Sequence, residues 1–122
     1  MKPRINLEEL LVRVENDGKL LKDLVEIFRA VLPGHLSALE AAVEAANPPQ
    51  VVRNAHSLKG MLANMAAPQA ASAAAHLEKL GRENQSLEFG SALAALEDEL
   101  AGLLPELEAA AAEEPIENPN RR

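Results

Sequence analysis

The chain has no cysteine, no tryptophan and no tyrosine, and only two phenylalanines in 122 residues. Without cysteine there is no disulfide framework and no thiolate to act as nucleophile or metal ligand. Aromatic and β-branched residues, which favour strands, are scarce; alanine and leucine, among the best helix formers, stand in their place. No apolar stretch approaches the roughly 20 residues needed to span a bilayer, so no membrane segment is expected. The opening Met1-Lys2-Pro3-Arg4 leads into an acidic amphipathic segment, not the apolar core of a signal peptide, and a cytoplasmic location is expected. There is no basic run either. Twelve Lys and Arg stand against 19 Asp and Glu, a formal charge of −7. Binding to a polyanion would gain little from counterion release, which excludes nucleic acid as the expected partner.

What is present is helical periodicity. A chain of this length builds one modest core. Asn6 caps a short first helix, with Glu9 placed to close a capping box and Leu7, Leu10, Leu11 and Val14 on its apolar side; Asn16-Asp17-Gly18 ends it. Leu21, Leu24, Phe28 and Val31 then recur at spacings of three and four, and the phase resumes at Leu36, Leu39, Val43 and Ala46. Pro33-Gly34 lies between, so one helix kinked at the proline is expected. Asn47-Pro48-Pro49 is a start signal for a third helix reaching to about Ala66. Pro68 opens a fourth, with Ala70, Ala73, Leu77 and Leu80 buried and Gly81 as its stop. The last helix begins near Ser86 and carries Leu93, Leu96, Leu100, Leu103 and Leu107, with Pro105 bending or fraying its end. Short connections make successive helices antiparallel neighbours. The expected fold is therefore all-α: an antiparallel up-down-up-down four-helix bundle over residues 1–112, with a small additional N-terminal helix. Residues 113–122, acidic and proline-containing, are expected to form an unstructured tail.

The third helix carries one residue that its core pattern does not explain. At about 100° per residue, Val51, Ala55, Leu58, Leu62 and Met65 form one buried stripe, and His56 lies roughly 150° from its centre. Its outer-face neighbours are Val52, Arg53, Lys59, Gly60 and Ala63, where a solvated face would carry Glu, Lys and Gln. A glycine inside a helix costs about 1 kcal/mol relative to alanine, which makes sense where something must approach closely. An imidazole with an unperturbed pKa near 6.5 is a competent nucleophile at neutral pH. Lys59, at i+3, can bring an ammonium to phosphoryl oxygens gained there, and Arg53 can do so from i−3. A lone exposed histidine is most often ordinary surface, and from the residues alone the ordinary and the functional readings both stay open.

The run Ala55-His56-Ser57-Leu58-Lys59-Gly60 closely resembles the signature of the histidine-containing phosphotransfer (HPt) domain family. Leu10-Leu11-x-Arg13-Val14, Asp17, and Leu24, Ile27 and Phe28 resemble its opening helices, and Leu77-Glu78-Lys79-Leu80 with Arg82 resembles the end of its fourth. The resemblance implies a phosphoryl carrier of a two-component phosphorelay. His56 would accept phosphate from a receiver-domain aspartate and pass it to another receiver, with Lys59 as charge partner and Gly60 keeping the approach clear. Val52, Arg53 and Ala63 would contact the partner. It also implies receiver domains and a sensor or hybrid histidine kinase as partners, Mg²⁺ on the receiver, and no cofactor bound by this chain. A monomer is expected. Met61 and Ala67 depart from the small residue and the glycine that family members often carry there, which bears on docking geometry.

Other classes fit less well. The phosphoacceptor domain of a sensor kinase usually has an acidic residue directly after its histidine; Ser57 follows here, and no Gly-rich ATP site is present, so no kinase activity of its own is expected. A non-phosphorylated adaptor binding a receiver or kinase is the alternative. His35, His56 and His76 lack close ligand spacing, so no metal site is expected. His35 is expected to be exposed and His76 to sit half-buried beside Leu77 and Leu80. Gly60→Gln is expected to raise helix stability by up to about 1 kcal/mol while blocking receiver docking by bulk. Thermal unfolding and the transfer rate of that variant, measured together, check this; an unchanged transfer rate counts against the steric role.

Overall fold

The computed structural model describes residues 3–113. Among them there are helices and no strand: α1 (Leu7–Arg13), α2 (Gly18–Glu44), α3 (Pro48–Asn64), α4 (Pro68–Arg82), a 3₁₀ turn at Ser86–Glu88, and α5 (Phe89–Glu113). The four long helices form a closed bundle in which α3 lies between α2 and α4, and α5 completes the ring against α4 and α2. Side-chain caps start α1, α2 and α3: Asn6, Asp17 and Asn47 each accept a backbone N–H three residues on, satisfying donors that the first turn leaves open.

The core is built from leucine and alanine. Leu10, Leu21, Leu39, Val51, Leu58, Leu62, Leu77, Phe89, Leu96, Leu103 and Leu107 are fully enclosed. On α3 the expected stripe of Val51, Ala55, Leu58, Leu62 and Met65 is buried throughout. On α2 the buried face is rotated from the expected one. Val25 and Leu32 go inside, Leu24, Leu36 and Val43 are half-buried, and Val31 and Ala46 are exposed. The three-four spacing is satisfied by either neighbouring stripe, and only packing against α3 and α5 selects between them.

Both internal prolines sit within unbroken helices. Pro33 and Pro105 are exposed, so the carbonyls they leave without an N–H partner lie toward solvent, where water satisfies them. The last helix begins at Phe89, after the 3₁₀ turn, and α3 ends at Asn64. Glu113 is the last residue of α5; the rest of the expected tail, residues 114–122, lies outside the described part of the chain.

The N-terminal segment is fastened across one end of the bundle. Glu106 accepts the backbone N–H groups of Arg4 and Ile5, the Asn6 N–H reaches the Ala66 carbonyl, and Arg13 donates to the Ala63 carbonyl. Arg4 also pairs with Glu99, and its guanidinium lies where a Cβ on Gly102 would sit.

Helix ends here use left-handed residues other than glycine: Glu15, Asn16, Ala46, Ala66 and Asn84 all have φ near +50° to +56°. Alanine pays a steric cost in that conformation that glycine does not. Ala46 is exposed, so Ala46→Gly changes little else, and a gain of about 0.5–1 kcal/mol is expected. Urea denaturation measures it; a loss of stability would show that the strain is absent.

Candidate functional site

The site starts from the rotation of α3. With Val51, Ala55, Leu58 and Leu62 fixed inside, His56 is turned outward, and its side chain is 64% exposed. Gly60, one turn on, faces open space: a Cβ built there meets nothing within 4 Å. No internal packing requires glycine at this position. Arg53 and Ala63 are exposed on the same face and Val52 is half-buried.

Packing of α4 adds what the sequence pattern left out. Gly81 is not the end of α4. It is a buried helical residue where a Cβ would come within 2.8 Å of Val52 Cγ2 and 3.3 Å of the Pro48 carbonyl oxygen. The helix continues to Arg82, and Asn84 makes the left-handed turn. The close approach at Gly81 seats Glu78, one turn earlier, beneath His56. Glu78 is the sole buried charged side chain among the described residues.

Three donors converge on that carboxylate. Lys59 Nζ lies 2.8 Å from Glu78 Oε1, His56 Nδ1 lies 3.1 Å from Oε2, and Arg82 pairs with Oε2 as well. Burial pushes the Glu78 carboxyl up, but hydrogen bonds from Lys59, Arg82 and His56 outweigh it and hold it down at about 2. An ionised carboxylate only accepts hydrogen bonds, so Nδ1 of His56 must carry the proton. The lone pair of a neutral ring is then on Nε2, which makes no hydrogen bond among the described residues. Such an imidazole is a nucleophile at its outer nitrogen, with a negative charge behind it to balance positive charge developing on the ring.

Of the residues singled out in the sequence, His56, Lys59 and Gly60 come together on one face, but Lys59 is engaged by Glu78 in this state and is not free. Glu78 itself was noted only as part of a motif. Its signal was readable: it is the sole acid between Pro48 and Arg82, next to core Leu77 and four residues before Arg82. His35 is exposed as expected; His76 is exposed and not half-buried, because it lies on the far flank of α4 from Glu78. Among the described residues no three His, Cys, Asp or Glu are grouped to hold a metal, and no helix is long and apolar enough to cross a membrane. A groove lined by Pro3, Ile5, Pro68, Gln69, Glu106 and Ala110 shares no residue with the His56 cluster.

The class defined by these features is an all-helical bundle with an exposed imidazole held from beneath by a buried carboxylate. The chain matches the family model of the Hpt domain over residues 23–115 and belongs to that family, the histidine phosphotransfer modules of two-component systems. No curated protein and no solved structure gives a significant match.

The depressed Glu78 carboxyl has a consequence for stability. An unfolded glutamate titrates near 4.3, so the contribution of this group is complete above that value and is lost as pH falls from about 4 towards about 2. Glu78→Gln cannot titrate. The stability gap between wild type and Glu78→Gln should therefore narrow over that window in denaturant titrations from pH 6 to pH 2; a pH-independent gap would contradict the ionised, paired state.

Proposed function

We propose that this protein is a histidine phosphotransfer protein of a two-component phosphorelay, with His56 as its phosphoacceptor. Nε2 attacks the phosphorus of a receiver aspartyl phosphate; a P–N bond forms as the P–O bond to the aspartate breaks, and the aspartate leaves as carboxylate. The reverse exchange with a second receiver passes the group on. The observation that carries this reading is the pairing of His56 Nδ1 with the buried Glu78 carboxylate, which turns an unencumbered Nε2 toward solvent.

Each neighbour has a role in that step. Glu78 holds the tautomer and offsets the ring's positive charge once Nε2 is phosphorylated. Lys59, already within reach of the ring, moves its ammonium from Glu78 Oε1 to the phosphoryl oxygens, while Arg82 stays on Oε2. Gly60 leaves room for the receiver. Val52, Arg53 and Ala63 border the contact. The exposed Ile27 and Val31 of α2, together with half-buried Met61, extend it across α3 as an apolar flank.

In this reading the protein carries phosphate and has no ATP-dependent kinase activity of its own. Mg²⁺ belongs to the receiver, and this chain binds no cofactor. Its partners are receiver domains and a sensor or hybrid histidine kinase, in the cytoplasm, with the chain acting as a monomer. The adaptor alternative makes a different forecast for one experiment. Incubation with a phosphorylated receiver domain should place an acid-labile, alkali-stable label on the wild type and none on His56→Gln. Tight receiver binding with no label on the wild type would overturn the phosphotransfer reading in favour of an adaptor.

A further inference from the structure

Charge on this bundle is laid out in one direction. Between Pro48 and Arg82, which make α3, its turn and α4, stand Arg53, Lys59, Lys79, Arg82 and a single acid, Glu78. Glu78 is buried and neutralised within its own cluster. Arg53, Lys79 and Arg82 are exposed and Lys59, engaged by Glu78, is half-buried, so these two helices carry four cations against a single carboxylate, which is buried. Neither has an acid in its first turn, where the helix dipole would favour one.

α5 is the opposite. It carries Glu97, Asp98, Glu99, Glu106, Glu108 and Glu113 with no basic residue. Arg4 and Arg29 reach Glu99 and Glu108. Glu97 faces Glu40 of α2, and hydrogen bonding between them, with burial, pushes the Glu97 carboxyl up. A chain with a formal charge of −7 thus turns a cationic face outward around its exposed imidazole.

We infer that the α3–α4 face is an electrostatic landing surface for a protein whose own docking face is acidic. This rests on the phosphotransfer reading and adds the chemistry of the surface that the partner must present: clustered carboxylates. Attraction over about a Debye length, roughly 10 Å at 0.1 M salt, speeds encounter and orients it, while the acidic α5 turns the same partner away from the wrong side. Lys79 separates steering from chemistry. It is exposed, lies on the outer side of α4 and makes no ion pair among the described residues, so it acts on approach without touching His56 or Glu78. A long polyanion such as DNA would also meet the α5 carboxylates; a globular partner of limited footprint would not.

The test is stopped-flow association of the full chain with fluorescently labelled, unphosphorylated receiver domains of net negative charge, in NaCl from about 20 to 500 mM. The association rate constant should fall at least about tenfold over that range. Lys79→Glu should lower it about three- to tenfold at low salt, with the loss vanishing at high salt and dissociation nearly unchanged. Lys19→Glu, an equal change in charge at an 84% exposed side chain of α2, should lower it much less. A salt-independent rate, or equal effects of the two variants, overturns the inference. So does competition by a duplex DNA oligonucleotide at the same salt, which would assign the patch to nucleic acid. Phosphohistidine labelling of the wild type is scored separately. Label without salt-dependent association removes the steering and leaves phosphotransfer standing; salt-dependent association without label does the reverse.

Discussion

At Gly81 the fourth helix lies so close to the third that a single added carbon would press into Val52 and the Pro48 carbonyl. The candidate site depends on that contact. It sets the height of α4 against α3 and places Glu78, one helical turn earlier, directly under His56. A larger residue at position 81 would push the helices apart, and the carboxylate would lose its reach to an imidazole on the neighbouring helix. Glycine is costly in mid-helix, and here the cost is offset by the approach it permits. The second helical glycine of interest, Gly60, has open space on its outer side: one serves the inside of the bundle and the other its surface.

Glu78 is a costly residue to bury between two helices. Taking a carboxylate out of water costs several kcal/mol, and an ion pair in a helix seam is often no better than an apolar pair of similar volume. Three donors compensate that cost, and each of them reaches the carboxylate from a side chain that is itself partly in solvent. The arrangement fixes the proton on the inner ring nitrogen and holds two cations on the carboxylate that this nitrogen contacts. An exposed imidazole is in this way oriented without a cleft, because the groups that hold it lie beneath it.

Surface and core divide the work between helices. α3 and α4 share the most extensive packing and carry His56 and its partners; α5 contributes a row of core leucines and a row of carboxylates. The N-terminal segment, tied to Glu106 and to the Ala63 and Ala66 carbonyls, closes the end of the bundle where α3 turns into α4. α1 thereby buttresses the C-terminal end of the helix that presents His56.

The amino-acid sequence alone determined the helical class, the caps at Asn6 and Asn47, the buried stripe of α3 and hence the outward His56, because these follow from local periodicity and from hydrogen bonds spanning three or four residues. Gly60 was equally legible as an unexplained cost. The face of α2 was not, since Leu24 with Val31 and Val25 with Leu32 are equivalent stripes until neighbouring helices choose one. Nor was the role of Gly81: a glycine after a core leucine reads as a helix stop, and only a second helix at close range makes it an interior residue. The pairing of Glu78 with His56, 22 residues apart, was decided by tertiary structure for the same reason. Its geometry exists only once two helices are packed, and the energy that ionises the carboxylate comes from donors that the chain brings together by folding.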